Sequence, residues 1–193
     1  MSATPCAERL FRDFRSGNEG ALAGLHALLY DRMLRYGLAT VNRRPLVEDA
    51  IQDVFVELLL KQDQLAEVRK VELYLLAAVR RRLYDRLRRE NRRGLRAYRY
   101  LTGTETGLEV RTADLELLLE ETVRLRRESL ARQLAQLSPR QREVLHLRFY
   151  EDLSYPEIAE IMAIRPQVAR NYGSRALSLL RVKLREWREE LRS

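Results

Sequence analysis

The sequence predicts an all-α protein: two small helical domains joined by a flexible linker, the C-terminal one a helix-turn-helix. Three observations lead there. Glycine and proline are scarce, 8 and 5 among 193 residues, and they fall mostly between segments whose apolar residues recur every three or four positions. No stretch sustains the period-two alternation of a half-buried strand. Gly94, Gly103 and Gly107, the last two within TGTETG, separate two periodic halves. That composition marks a linker over 94–112 between domains at 1–93 and 113–193, free to move against each other. At 46% hydrophobic and 33% charged residues, the chain is neither membrane-embedded nor disordered, and it is long enough to bury a core without disulfides.

The elements follow in order. A short helix over about 5–15 breaks at Ser16-Gly17-Asn18. Asn18 is placed to cap a second helix, whose Leu22, Leu25, Leu29, Met33, Tyr36 and Thr40 share one face. Asn42 to Pro45 ends it, because proline does not continue a helix from that side. Residues 46–60 set Val47, Ala50, Ile51, Val54, Phe55, Leu58 and Leu59 on one stripe. Glu48, Asp49, Gln52, Asp53 and Glu57 cover the other face. The polar stretch 61–70 reads as a loop with one helical turn. A long helix over 71–93 turns Tyr74, Leu75, Ala78, Leu83 and Leu87 inward. Helix resumes near Ala113 and runs towards Leu137. Ser138-Pro139-Arg140-Gln141 and Ser154-Tyr155-Pro156-Glu157 are capping boxes, starting helices over about 139–150 and 155–163. After Ala163-Ile164-Arg165, Pro166 opens a last helix towards Trp187.

Several function classes drop out. Cys6 is the single cysteine, and His26 and His146 are the two histidines, so neither a disulfide framework nor a cysteine or multi-histidine metal site is expected. There is no phosphate-cradling glycine motif and no Ser/His/Asp set, so no enzyme is expected. His26 lies near its helix's apolar stripe and reads as a packed histidine. No apolar run approaches a membrane span, and Met1 to Arg15 lacks the apolar stretch of a signal peptide. The expected compartment is the cytoplasm.

Charge is the positive signal. The chain carries a net +8. The window 80–99 holds ten arginines against Asp85 and Glu90, which accounts for the whole excess. A local basic patch points to a polyanion. Within it Arg80, Arg81, Arg82, Arg86, Arg88, Arg89, Arg92 and Arg93 are candidate phosphate contacts, and Tyr74 and Tyr84 are either base-stacking or core residues. In 155–184, Ile158, Ala159 and Met162 face inward from the first helix, and Ala169, Tyr172, Gly173, Ala176, Leu177, Leu180 and Leu184 from the second. Arg165, Gln167, Arg170, Asn171, Ser174 and Arg175 are then left outward, near the helix start. These side-chain types read base edges and hold phosphates.

LSPRQREVLHLRFYEDLSYPEIAEIMAIRPQVARNYGSRALSLLRVKL resembles the C-terminal helix-turn-helix domain of bacterial sigma factors. VEDAIQDVFVELL followed by ELYLLAAVRRRLYDRLRREN resembles their N-terminal promoter-melting domain. With two domains and a short linker, the chain is similar to the extracytoplasmic-function group of the sigma-70 family. The resemblance covers about 20–95 and 113–185. It departs at Ala163, where a glycine often makes the turn, and at Arg165 and Pro166, where Ser or Thr usually starts the recognition helix. Tyr74 stands for a frequent Trp, Arg81 for a frequent Asn, and Gly173 for a bulky apolar residue.

The resemblance implies partners. Core RNA polymerase, through its beta-prime and beta subunits, and promoter DNA are the two it requires. It also admits an anti-sigma factor, and it predicts no cofactor and no small-molecule substrate. It makes Glu48, Asp49, Gln52, Asp53 and Glu57 a docking strip for a beta-prime coiled coil. It makes the loop 61–70 the place where a flipped promoter base is read. A stand-alone helix-turn-helix regulator is the alternative, but such a protein needs neither the acidic strip nor the arginine-rich helix. A recombinase would need a catalytic domain that is not seen.

Overall fold

In the computed structural model, which describes residues 4–93 and 136–190, every element is helical. Helix α1 (Thr4–Arg15) turns Ala7, Phe11 and Phe14 into the core. It stops at Gly17, whose φ of +99° suits a residue without Cβ. Helix α2 (Glu19–Thr40) has Asn18 at its N-cap, but the Asn18 side chain makes no capping bond. Instead its carbonyl accepts from Ala21 N–H at 3.1 Å, so the expected side-chain cap is corrected. Helix α3 (Arg44–Leu60) begins two residues before the expected start, with Pro45 in the first turn, where its missing N–H has no partner to lose. Gly37 of α2 marks the crossing of α2 and α3. A Cβ there would lie 2.2 Å from Val47 Cγ1, so only glycine lets the two backbones approach so closely.

After a single 3₁₀ turn (Gln62–Gln64), helix α4 (Val71–Arg93) buries Val71, Leu73, Leu75, Leu76, Ala78, Val79, Leu83 and Leu87. That face is broader than the stripe read from sequence, because α4 packs on α1, α2 and α3 at once. The expected linker 94–112 lies outside the described residues, as does nearly all of the helix expected over 113–137.

Helix α5 (Pro139–Leu145) starts at a complete capping box. Gln141 N–H donates to Ser138 Oγ, and Ser138 N–H to Gln141 Oε1 at 2.8 Å. It continues as one wide, π-type turn over His146–Tyr150, closed by Glu151 N–H on the His146 carbonyl. Helix α6 (Tyr155–Met162) starts at the second box, Ser154 with Glu157. Helix α7 runs over Pro166–Glu190. Between α6 and α7, Ala163 adopts φ 52°, ψ 50°, the left-handed turn that the motif requires.

The two helical units on either side of 94–135 are packed together. One apolar core includes Leu25, Tyr36, Leu75 and Val79 from the first unit, and Val144, Leu147, Ile158 and Met162 from the second. Helix α6 lies against α4, and α5 against α2. This structure holds the two units in a docked arrangement that the linker's composition did not foretell. Linker composition leaves docking open in either direction, and the facing surfaces decide it.

Candidate nucleic-acid interface

The six residues predicted on the outer face of the helix-turn-helix are all exposed: Arg165, Gln167, Arg170, Asn171, Ser174 and Arg175. Opposite them Ala169, Gly173 and Ala176 are buried. Gly173 explains how α6 and α7 approach. A Cβ at 173 would stand 2.8 Å from Tyr155 Oη and 3.2 Å from its Cε1. The Tyr155 ring in turn carries the Arg170 guanidinium at 5.7 Å from its centroid and that of Arg148 at 5.8 Å, a cation–π pairing that limits where Arg170 points. Gln167 Nε2 donates to Asn171 Oδ1 at 3.2 Å, so these two amides are oriented as a pair one turn apart.

The arginine window divides sharply. Arg80 is not available as a surface phosphate contact, and its placement is a correction. It crosses to the C-terminal unit and donates from Nε to Glu143 Oε1 at 2.7 Å, with its side chain 15% exposed. Arg82 pairs with Glu57. Arg86 spans Asp53 at 2.6 Å and Asp49 at 3.1 Å. Arg81, Arg88 and Arg89 are exposed, with Arg81 at 3.9 Å from Glu57 and Arg88 at 3.9 Å from Asp85, contacts too long to hold them against water. Arg92 and Arg93 lie in the last turn of α4.

The acidic strip and the basic helix thus face each other. Of the five strip residues, Asp49, Asp53 and Glu57 pair with α4, and Glu48 pairs with Arg44 at 2.8 Å. Gln52 is exposed. Lys61 first, and then Arg82, hold the Glu57 carboxyl below the ordinary carboxylate range against the opposing effect of its partial burial. Asp49 still shows 57% of its side chain to solvent. Beside it α3 exposes Val56 (55%), Leu59 (47%) and Leu60 (78%). Leu59 was expected inside. It stands about 100° past Leu58 on the helix, and that turn carries it beyond the edge of the packed face.

Sequence reasoning missed the residues that close the two units on one another. Glu143 is fully buried, accepting from Tyr36 Oη at 2.7 Å, from Arg80 and from Tyr84 Oη at 3.3 Å. Burial first, and then the Glu143 charge, push the Tyr84 hydroxyl up to about 12 and the Tyr36 hydroxyl well above its ordinary value. Tyr84, a candidate base-stacking residue, is held here with the Arg80 guanidinium 4.4 Å from its ring centroid. A second cluster has Arg32 of α2 donating to both Glu72 and Glu151, with His146 Nε2 3.5 Å from Glu151 Oε1. Burial would raise the Glu151 carboxyl, but His146 and Arg32 together keep it low. Lys70 pairs with Glu157 across the same seam. The available signal was Glu143 one turn before Leu147, an acid on an otherwise inward face.

A cleft of about 300 Å³ opens between α1, the end of α3, the loop 61–70 and α4. Phe11, Leu65 and Tyr74 line it, with Lys61 and Arg81 also in its wall. Tyr74 is half-buried, meets Phe11 edge-on at 6.1 Å and also faces the cleft. His26 packs against Tyr30 and Phe55 as expected. Among the described residues no helix is long and apolar enough to cross a membrane.

Residues 24–93 match the family model described as Sigma-70 region 2, and residues 127–180 match the one described as Sigma-70, region 4. Together these cover more than half of the chain. The chain belongs to the sigma-70 family. Carrying regions 2 and 4, this sigma-70 chain has the layout of the extracytoplasmic-function group, whose members are initiation factors rather than enzymes. Its fold is similar to that of the sigma factor RpoE from Bartonella quintana, solved with the anti-sigma factor NepR. That match has 19% identity and a TM-score of 0.63, over 83% of this chain and 94% of that one. It is also similar to CnrH, solved with the cytosolic domain of CnrY, at 21% identity and a TM-score of 0.62, over 93% and 97% of the two chains. No curated protein sequence matches it.

Proposed function

We propose that this chain binds core RNA polymerase and directs it to promoters that its own two domains select, acting in the cytoplasm. The observation that carries the reading is the outward row Arg165, Gln167, Arg170, Asn171, Ser174 and Arg175 over the buried small-residue face of α7. Such a row enters a major groove, where Arg pairs bidentately with guanine and Asn with adenine. Helix α4 supplies the second contact, with Arg81, Arg88 and Arg89 turned to solvent for strand phosphates. The cleft beside loop 61–70 has room for one unpaired base, with Tyr74 in its wall. The polymerase-binding surface is the α3 strip of Glu48, Asp49, Gln52, Asp53 and Glu57. The exposed Val56, Leu59 and Leu60 give it the apolar centre and polar rim of a protein interface. By analogy with the NepR complex, an anti-sigma factor is a further partner in this reading.

Run-off transcription with purified core polymerase on genomic promoter fragments tests the proposal. Template-specific transcripts should depend on the chain. Charge reversal at Asp49 and Asp53 should weaken core binding. Replacing Arg88 and Arg89 should lower the log–log salt slope of open-complex formation by about 0.7–0.9 for each phosphate no longer neutralised. Tight duplex binding without any association with core polymerase would instead favour a stand-alone regulator.

A further inference from the structure

The end of helix α1 packs on the 3₁₀ turn of the loop 61–70, and each fixes the other through a backbone carbonyl. Arg15 Nε donates to the Leu65 carbonyl at 2.9 Å, and Gln62 Nε2 donates to the Phe14 carbonyl. Both bonds are partly buried, and they link positions 48 to 50 residues apart. Phe14 is fully buried and Phe11 nearly so, which anchors α1 in the core. Phe11 also forms part of the cleft wall, edge-on to Tyr74. The loop is otherwise held mainly at its two ends, by Lys61 on Glu57 and by Lys70 on Glu157, so the bonds to α1 fix its middle. It contains one 3₁₀ turn, and only Leu65 and Val68 pack from it onto the core. A loop that discriminates between bases has to hold its polar groups within a few tenths of an ångström, or the wrong base is accepted almost as well as the right one.

We infer that α1 is the positioning element for base selection: Arg15 and Gln62 lock the loop 61–70 in the shape that accepts one base and rejects others. This rests on the reading of that cleft as the unpaired-base site. Neither side chain needs to touch DNA. Both act through the loop backbone. Helix α1 also lies before the matched Sigma-70 region 2, which begins at residue 24.

The test uses the full chain assembled with core polymerase. Short single-stranded oligonucleotides are selected from a randomised pool, and affinity is then compared between the preferred sequence and its single-base substitutions. A preference of about tenfold or more at one position is expected for the parent, the scale of one good base contact. Arg15→Ala and Gln62→Ala should each reduce that ratio to about twofold, whereas Arg15→Lys, which keeps a donor for the Leu65 carbonyl, should retain most of it. A loosened fold alone would lower affinity for every oligonucleotide alike and leave the ratio intact. Ala66→Trp, which fills the cleft, separates the two levels of the argument. If it abolishes the preference while Arg15→Ala and Gln62→Ala keep the parent ratio, the cleft reads the base and the role of α1 is overturned. If Ala66→Trp leaves the ratio unchanged as well, the base site lies elsewhere and both readings fall.

Discussion

Glu143→Ala should undock the two helical units while leaving each folded. The carboxylate belongs to α5, but its three side-chain partners, Tyr36, Arg80 and Tyr84, all belong to the first unit. Truncation therefore removes nothing that holds the second unit together, and alanine is the better helix former. What it leaves is a fully buried Tyr36 hydroxyl without its acceptor and an Arg80 guanidinium that is largely shielded from water. Removing one member of a buried ion pair costs about 3–5 kcal/mol. Both orphaned groups recover water when the units separate, so that energy falls on the docking equilibrium. The closed-to-open ratio should drop by roughly two to three and a half powers of ten. Small-angle scattering would register a larger radius of gyration, and hydrogen exchange would quicken along α4 and α6 where they face each other. Glu143→Gln keeps one acceptor oxygen and should give a smaller change. An unchanged scattering curve and unchanged exchange in Glu143→Ala would mean that the apolar contacts alone hold the units, and that the buried carboxylate adds nothing net.

Ala163→Gly should stabilise the C-terminal unit by about 1 kcal/mol, because φ 52° strains a residue with Cβ; a lower denaturation midpoint would contradict it. Gly173→Leu should destabilise by about 1–3 kcal/mol through displacement of the Tyr155 ring. Gly173→Ala should come out near neutral, the tip of Tyr155 yielding as helix propensity improves; chemical denaturation of the full chain distinguishes the two. Tyr84 gives a pH prediction. Its folded value of about 12 lies above the ordinary 10, so its contribution to docking is intact below about pH 10 and is lost as pH rises through 12. Absorbance at the tyrosinate band should show Tyr84 and Tyr36 ionising after the exposed tyrosines, and Tyr84→Phe should remove one late step.

The helical architecture was legible because its signals are local. Both capping boxes, the wrap of apolar residues on α2 and the 71–93 span follow from spacing alone, and the outward phase of Arg170, Asn171 and Arg175 follows from Ala169, Gly173 and Ala176 being small and inward. What escaped was contact between distant segments. Nothing near Arg80 in the sequence distinguishes it from Arg81 or Arg88. Its partner is 63 residues away, so a run of arginines that looks uniform becomes one buried strut, two bridges to α3 and a few exposed cations. The acidic strip was likewise read as bare, because the helix that covers part of it begins only at Val71, fourteen residues beyond Glu57. Val56 and Leu60 went unnoticed for a related reason: a hydrophobic residue off the main stripe is recognised as exposed only once the packed side is known.

The two oxygens of Glu157 have separate employments. Oε2 accepts from both the N–H and the hydroxyl of Ser154, while Oε1 faces Lys70 on the other unit. Because the Ser154 bonds and the Lys70 bond end on different oxygens, parting the units removes the one contact and leaves the geometry of the others undisturbed. Divided in this way, the carboxylate releases Lys70 and keeps Ser154. Were the units to part, the helix-turn-helix would leave the surface of α4 with its leading turn already fastened by Ser154 and Glu157.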